Sequence, residues 1–327
     1  MKEIKKIALI VDQIKIESTT CLEEAVKEIF GKEINRRNCI LSEEAMTGQV
    51  AEKYDEIGKL ARQETYKKIV TDFKNRAGCY GVNHIRTNMQ VGTILEVGCG
   101  SGLLSLELAE QTNGYILGID LSADMIKLAN MNLKKRSKDK VKQIKEFWKK
   151  LPESCRSKFE KNDKLKKNPP FYDSVEFNQG SVYNLSAIVR DNNDTNYIVC
   201  RNALHRFKDA KKAIEEMYSA LAPGGKIYIR DLKRDSDWKT IVKRIGKRRW
   251  EQPDLVKDYI GAMAGMLTKK ELQEILELSD IKNYEITDGY YDLQNESSMQ
   301  RDQMKEYASE VEYVCVIKKQ HVDADKF

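Results

Sequence analysis

The sequence predicts an α/β fold with a mostly parallel sheet covered by helices on both faces. Three observations predict it. Ile94 to Val97 is a short apolar strand that passes through Gly98-Cys99-Gly100-Ser101-Gly102 into a helical stretch, Leu103 to Glu110. About 18 residues beyond Gly102, Tyr115-Ile-Leu-Gly-Ile-Asp120 is a second apolar strand that ends in a carboxylate. A further helix over 123–134 continues the alternation, and strands joined by helical crossovers run parallel.

Upstream of this core, residues 5 to 11 read as a strand. Thr19-Thr20 with Glu23 as the capping acid opens a helix, and 38–41 is a second short strand. Residues 1–45 are therefore expected to form a β-α-β-like extension that covers a sheet edge or makes a dimer contact. Residues 46–327 form the main domain, beginning with a broken helical region that runs to about Lys74. After Leu133 the alternation is expected to break for a lysine-rich insertion at about 135–170. Val141, Ile144, Phe147, Trp148 and Leu151 mark an amphipathic helix within it, and Asn168-Pro-Pro170 ends it.

The sheet then resumes with strands over 174–177 and 196–200, a helix over 210–221, and Lys226 to Asp231 after the Pro223-Gly-Gly225 turn. Thr268 caps a helix to Leu278, with Glu271 three residues on. Strands at 284–287 and 313–318 close the chain as an antiparallel pair.

The totals narrow the class. Apolar residues make up 41% and charged residues 33% of 327 residues, which suits a globular protein with a substantial core. No run of about 18 apolar residues marks a membrane span. The start is too short in its apolar stretch for a signal segment, so a cytoplasmic location is expected. Seven scattered cysteines without a CxxC pair point to reduced thiols, with no metal site expected. Net charge is +6, but Lys134 to Lys167 alone holds 15 Lys or Arg against 5 Asp or Glu. Attraction for anions should therefore be local.

A glycine turn at a helix N-terminus lets a ligand approach the backbone, and an acid ending the next strand can bind ribose hydroxyls. The dinucleotide pattern GxGxxG needs a third glycine where this chain has Leu103. Glu96, two residues before the first glycine, suits a ligand with a cationic end rather than a pyrophosphate. An adenosine joined to a positively charged amino acid describes S-adenosyl-L-methionine (SAM).

At this point the chain resembles the class I SAM-dependent methyltransferases, in the small-molecule branch of the family. Leu95-Glu-Val-Gly-Cys-Gly-Ser-Gly102 resembles their first motif, and Gly118-Ile-Asp-Leu-Ser122 the second-strand motif. Phe177-Asn-Gln-Gly-Ser-Val-Tyr183 is similar to the third-strand segment. Arg201 to Phe207 and Leu221 to Ile227 are similar to the segments around the fourth and fifth strands. The resemblance implies a Rossmann-like, seven-stranded, mostly parallel sheet with an antiparallel C-terminal pair.

It also implies roles for residues. Gly98, Cys99, Gly100 and Gly102 would pass close to the methionine and ribose of SAM. Glu96 would lie at its amino end, Asp120 on the ribose hydroxyls, and Leu121 and Met125 near the adenine. Gly180, Ser181 and Val182 would border the base, with Ser181 standing where many relatives have an acid. Arg201 and Asn202 would border the cofactor from the fourth strand, and Tyr54 would close over it. His205 is the one histidine inside a motif and the candidate general base, while Asp231 at the end of the fifth strand would orient a substrate. His84 and His321 have no such context.

The expected reaction is methyl transfer to a small acceptor, either anionic or hydrophobic, within a cytoplasmic enzyme of biosynthesis. Two alternatives come with it. The basic insertion, together with Lys239 to Trp250, could hold RNA phosphates in an RNA methyltransferase. A non-catalytic SAM-binding or assembly protein would need only the cofactor motifs. The apolar, glycine-containing stretch from Tyr259 to Thr268 suggests a wall for an organic acceptor.

Overall fold

The computed structural model describes residues 46–61, 63–79, 92–112, 114–150, 174–189, 195–236, 262, 265–291 and 311–320. The readings made for 1–45, 238–261, His84 and His321 lie outside these residues, as does the insertion beyond Lys150.

Two helices, α1 (Gly48–Ala61) and α2 (Gln63–Ala77), precede the sheet. The parallel run follows as β1 (Thr93–Val97), α3 (Leu103–Thr112), β2 (Tyr115–Asp120), α4 (Ala123–Lys149), β3 (Val175–Gln179) and β4 (Thr195–Arg201). It continues through α5 (Ala210–Ala220) to β5 (Lys226–Leu232), then α6 (Lys269–Leu278), β6 (Tyr284–Asp288) and β7 (Glu312–Lys318). The seven strands form one sheet in the order β3-β2-β1-β4-β5-β7-β6. Strands β1 to β5 pair in parallel, whereas β7 pairs antiparallel with both β5 and β6. The order reverses at β1, so its end and that of β4 open the crevice where ligands bind in such sheets.

Side-chain alternation along the strands divides the core in two. Leu95, Val97, Ile198, Cys200, Ile227 and Ile229 face the layer built on α5 and α6. Ile94, Ile116, Val199 and Tyr228 face the layer built on α2, α3 and α4. The second set includes a buried ion network that joins α2 to the sheet. Arg230 is fully buried; its guanidinium reaches Glu312 at 2.7 Å and Asp72 at 3.1 Å. The Tyr228 hydroxyl donates to the same Asp72 oxygen at 2.6 Å, and the Tyr291 ring lies 4.0 Å from the guanidinium.

The cap read for α6 holds. Thr268 Oγ1 accepts from the Glu271 N–H at 3.1 Å, and the Glu271 carboxylate accepts from the Thr268 N–H at 2.9 Å. Asp209, at the start of α5, accepts from the Lys212 N–H at 2.9 Å.

The helix read over 123–134 and the amphipathic helix read within the insertion are one element: α4 continues unbroken for 27 residues to Lys149. No glycine or proline interrupts it, and Lys and Glu favour the helix wherever they sit. The insertion therefore begins as helix, and its second half is largely solvent-facing, with Lys138, Lys142, Lys145, Lys149 and Lys150 exposed.

Candidate functional site

The turn after β1 is fixed by its backbone. The Gly98 and Cys99 N–H groups both donate to the Ile119 carbonyl, at 2.8 and 2.9 Å. Gly98 has φ +71, and a Cβ there would stand 2.5 Å from the Ala203 Cβ. Gly102 has φ +74 and no more room, since a Cβ would meet the Phe177 ring at 2.5 Å. Both positions exclude a side chain by conformation and by contact.

Asp120 then ties three loops together. Its Oδ2 accepts from the Gly100 N–H at 2.9 Å and its Oδ1 from the Ser122 N–H at 2.9 Å. Its carbonyl accepts from the Gly180 N–H at 2.9 Å. Burial pushes the Asp120 carboxyl above its ordinary value; the Ser122 and Gly100 donors and the charge of Arg206 pull the other way.

These loops enclose a cavity of about 380 Å³, within the range of small-ligand sites. Gly98 and Gly100 line it from the turn, Asp120 and Leu121 from the end of β2, and Met125 from α4. Gly180, Ser181 and Val182 line it from the third loop, Asn202 from the end of β4, and Tyr54 from α1. Ten of the fourteen residues expected around a cofactor thus meet in one place. Glu96, Cys99, Gly102 and Arg201 do not join the lining.

Strand parity explains Glu96. It alternates with Leu95 and Val97 and so points to the α3 side, where it is 3% exposed and accepts from the Ser105 hydroxyl. Burial pushes its carboxyl up to about 8, against the opposing pull of Ser105 and Arg201. The Arg201 guanidinium lies 5.5 Å from the Tyr66 ring. Cys99 and Cys200 are buried, and burial raises both thiols well above their ordinary value, which leaves them as unreactive packing groups.

Asn202 has φ +51, an uncommon backbone for a residue with a side chain, and its N–H donates to the Arg230 carbonyl at 2.9 Å. Its Oδ1 is buried with no hydrogen-bond partner. An acceptor left open beside a cavity fits a ligand that brings a donor, such as an ammonium or a hydroxyl. Ser181 already uses its hydroxyl oxygen to accept from the Tyr183 N–H at 3.2 Å, capping a short 3₁₀ turn over 182–187.

His205 and Asp231 come together, though not as expected. Asp231 is fully buried and does not face the mouth of the site. It shares a face with Ile227 and Ile229, which carries it under the loop after β4, where its carboxylate contacts the His205 ring and backbone. Asp231 therefore holds His205, itself 4% exposed, rather than a substrate.

Sequence reasoning missed other lining residues: Met46, Tyr183, Arg206, Phe207 and Lys208. The last three follow His205 directly, so their position just after β4 was the available signal. Met46 carries no such signal, since only the packing of α1 brings it in.

Comparison with known proteins turns this geometry into a family. The model of a methyltransferase domain matches residues 90–280. The chain belongs to that family. It is a SAM-dependent methyltransferase domain, and the Rossmann-like, seven-stranded sheet is the fold expected of it. A curated relative, phosphoethanolamine N-methyltransferase 2 of Caenorhabditis elegans, is 25% identical over 209 residues, 64% of this chain. The chain spans only 35% of that relative's length. Among solved structures, the plantazolicin methyltransferase BpumL bound to S-adenosylhomocysteine (SAH) superposes with a TM-score of 0.54 at 16% identity. That match covers 91% of this chain and 98% of the other. A protein of Methanococcus maripaludis, inferred to be a SAM-dependent methyltransferase, gives a TM-score of 0.51 at 21% identity, covering 84% of this chain and 94% of its own. Among the described residues, no helix of the methyltransferase domain is long and apolar enough to cross a membrane.

Proposed function

We propose that the cavity holds SAM and that the methyl acceptor is a small molecule with an anionic group. The observation that carries this is the composition of one lining: Asp120, fixed by two backbone donors, together with Arg206 and Lys208. Asp120 suits ribose hydroxyls, and the open Asn202 oxygen suits a ligand donor. Arg206 and Lys208 supply positive charge for the acceptor, with Tyr183 and Phe207 giving it apolar surface. Tyr54 closes the lining from α1.

SAM supplies a methyl group activated on a sulfonium. The protein's work is to orient the acceptor and exclude water. His205, held by Asp231 and next in sequence to the lining residues Arg206 to Lys208 though not itself in the lining, is proposed as the base for any acceptor that must lose a proton. The acceptor named by the curated relative, phosphoethanolamine, carries the kind of group this lining favours and is the first to test. The protein is incubated with SAM and either phosphoethanolamine or ethanolamine, and SAH is measured. The reading expects faster SAH formation with the phosphorylated acceptor and a KM for it at least tenfold higher in Arg206→Ala. Equal rates with the two acceptors argue against an anionic substrate.

The exposed lysines along the second half of α4 favour one other reading, an RNA acceptor. Methylation or low-salt retention of bulk tRNA, lost steeply as salt rises, would support it.

A further inference from the structure

The inner face of α4 is apolar at Met125, Ala129 and Leu133, yet it carries a buried amide, Asn132, at 5% exposure. Its Nδ2 donates to the Ser101 carbonyl at 2.9 Å and to the Asp55 Oδ1 at 2.9 Å. Ser101 lies between Gly100 and Gly102 in the turn after β1. Asp55 is 3% exposed, follows the lining residue Tyr54 on α1, and gives its other oxygen to Lys59. One side chain thus joins the glycine turn to the helix that covers the cavity. An apolar residue at 132 would leave a buried carboxylate and a buried carbonyl each short of a donor.

The first turn of α1 is tied to the neighbouring loop as well. The Ser122 hydroxyl donates to the Met46 carbonyl, and Asp124 Oδ2 accepts from the Gly48 N–H at 2.8 Å. Met46 and Tyr54, the two lining residues from this segment, are therefore set from the loops that also carry Gly100 and Asp120.

We propose that Asn132 is a positioning residue for the methyltransferase. By bridging Ser101 and Asp55 it fixes α1 to the glycine turn, and so places Tyr54 over the cofactor. The inference rests on the reading of this cavity as the SAM site.

The test is SAM binding by calorimetry, with a cycle of variants in the full chain. Asn132→Leu is expected to weaken SAM binding at least tenfold in the native background and less than threefold in a Tyr54→Leu background, because its effect passes through Tyr54. The KM for SAM should rise more than kcat falls. A purely structural role would lower thermal stability without this dependence on Tyr54. Asp55→Asn keeps the volume, gives a smaller loss with the same dependence, and decides the matter where Asn132→Leu does not fold. Native affinity in the variants, or an equal loss in both backgrounds, overturns the proposal. Failure of the unaltered protein to bind SAM overturns the cofactor-site reading and this inference with it, whereas normal binding with an unaffected Asn132→Leu overturns the inference alone.

Discussion

Asp231 grips His205 at two points: its Oδ1 lies 2.7 Å from the ring Nδ1, and its Oδ2 accepts from the backbone N–H at 3.0 Å. Oδ1 also accepts from the Leu232 N–H at 2.8 Å, so the carboxylate is fully committed. The arrangement fixes the ring's orientation, with Nδ1 turned toward the carboxylate.

Replacing Asp231 by Asn puts a donor where an acceptor is required. The variant is expected to lose about 1–3 kcal/mol of stability in urea unfolding. Turnover should fall with SAM affinity nearly unchanged. His205→Ala should show the same split between kcat and SAM binding if the imidazole is the base; native turnover in that variant would remove it from the mechanism.

Asp120→Asn keeps the size of the side chain and removes its charge. Loss of a charged hydrogen bond of about 1.5–3 kcal/mol predicts SAM binding weaker by about ten- to a hundredfold in calorimetry. Because the native carboxyl is raised by burial, SAM affinity should also fall as acidic pH protonates it, and that fall should vanish in Asp120→Asn.

Glu96 gives a pH signature of its own. Its folded value of about 8 lies above its ordinary 4.5, so the folded state binds this proton more tightly than the unfolded chain. The stability it contributes is complete below about pH 4.5 and is lost as pH rises toward 8. Urea midpoints measured at pH 5 and pH 8 should therefore fall further for the native chain than for Glu96→Gln. A steeper fall in the variant would contradict the assignment.

Asp72→Ala strands the Arg230 guanidinium with one carboxylate partner fewer in a fully buried site. It should cost about 3–5 kcal/mol in denaturant unfolding, the range for breaking a buried pair from one side. Adding Arg230→Met together with Glu312→Gln should recover part of that loss, because neither the guanidinium nor its remaining carboxylate partner is then left as an unpaired buried charge.

The sheet could be read from the chain because its signals are local. Strands such as Ile94 to Val97 and Tyr115 to Asp120 are short apolar runs bounded by turns, and their ends fell within a residue or two of those observed. The capping pair Thr268 and Glu271 was equally local. Helix α4 was legible only as two pieces, 123–134 and the amphipathic run from Val141, because the stretch between them is almost all charged and carries no apolar stripe. The cofactor loops were legible for the same reason as the strands, since Gly98, Gly100 and Asp120 sit at fixed offsets from strand ends. Glu96 was given to the cavity because offset alone does not reveal which face a strand residue takes. The bridge from Asn132 to Asp55 spans 77 positions, and no pattern along the chain announces it.

The place of β7 has a consequence for biosynthesis. Among the described residues it is the last strand in chain order, yet it lies inside the sheet, between β5 and β6. A ribosome making this chain completes β5 at Leu232, 86 residues before Lys318, and throughout that interval β5 and β6 lack, among the described strands, the β7 neighbour that joins them. A strand edge in that state is open to pairing with other nascent chains. Folding of this sheet is thus gated by synthesis, and a holdase that shields β5 until residue 318 is free should raise the soluble yield more than one that acts on the finished chain.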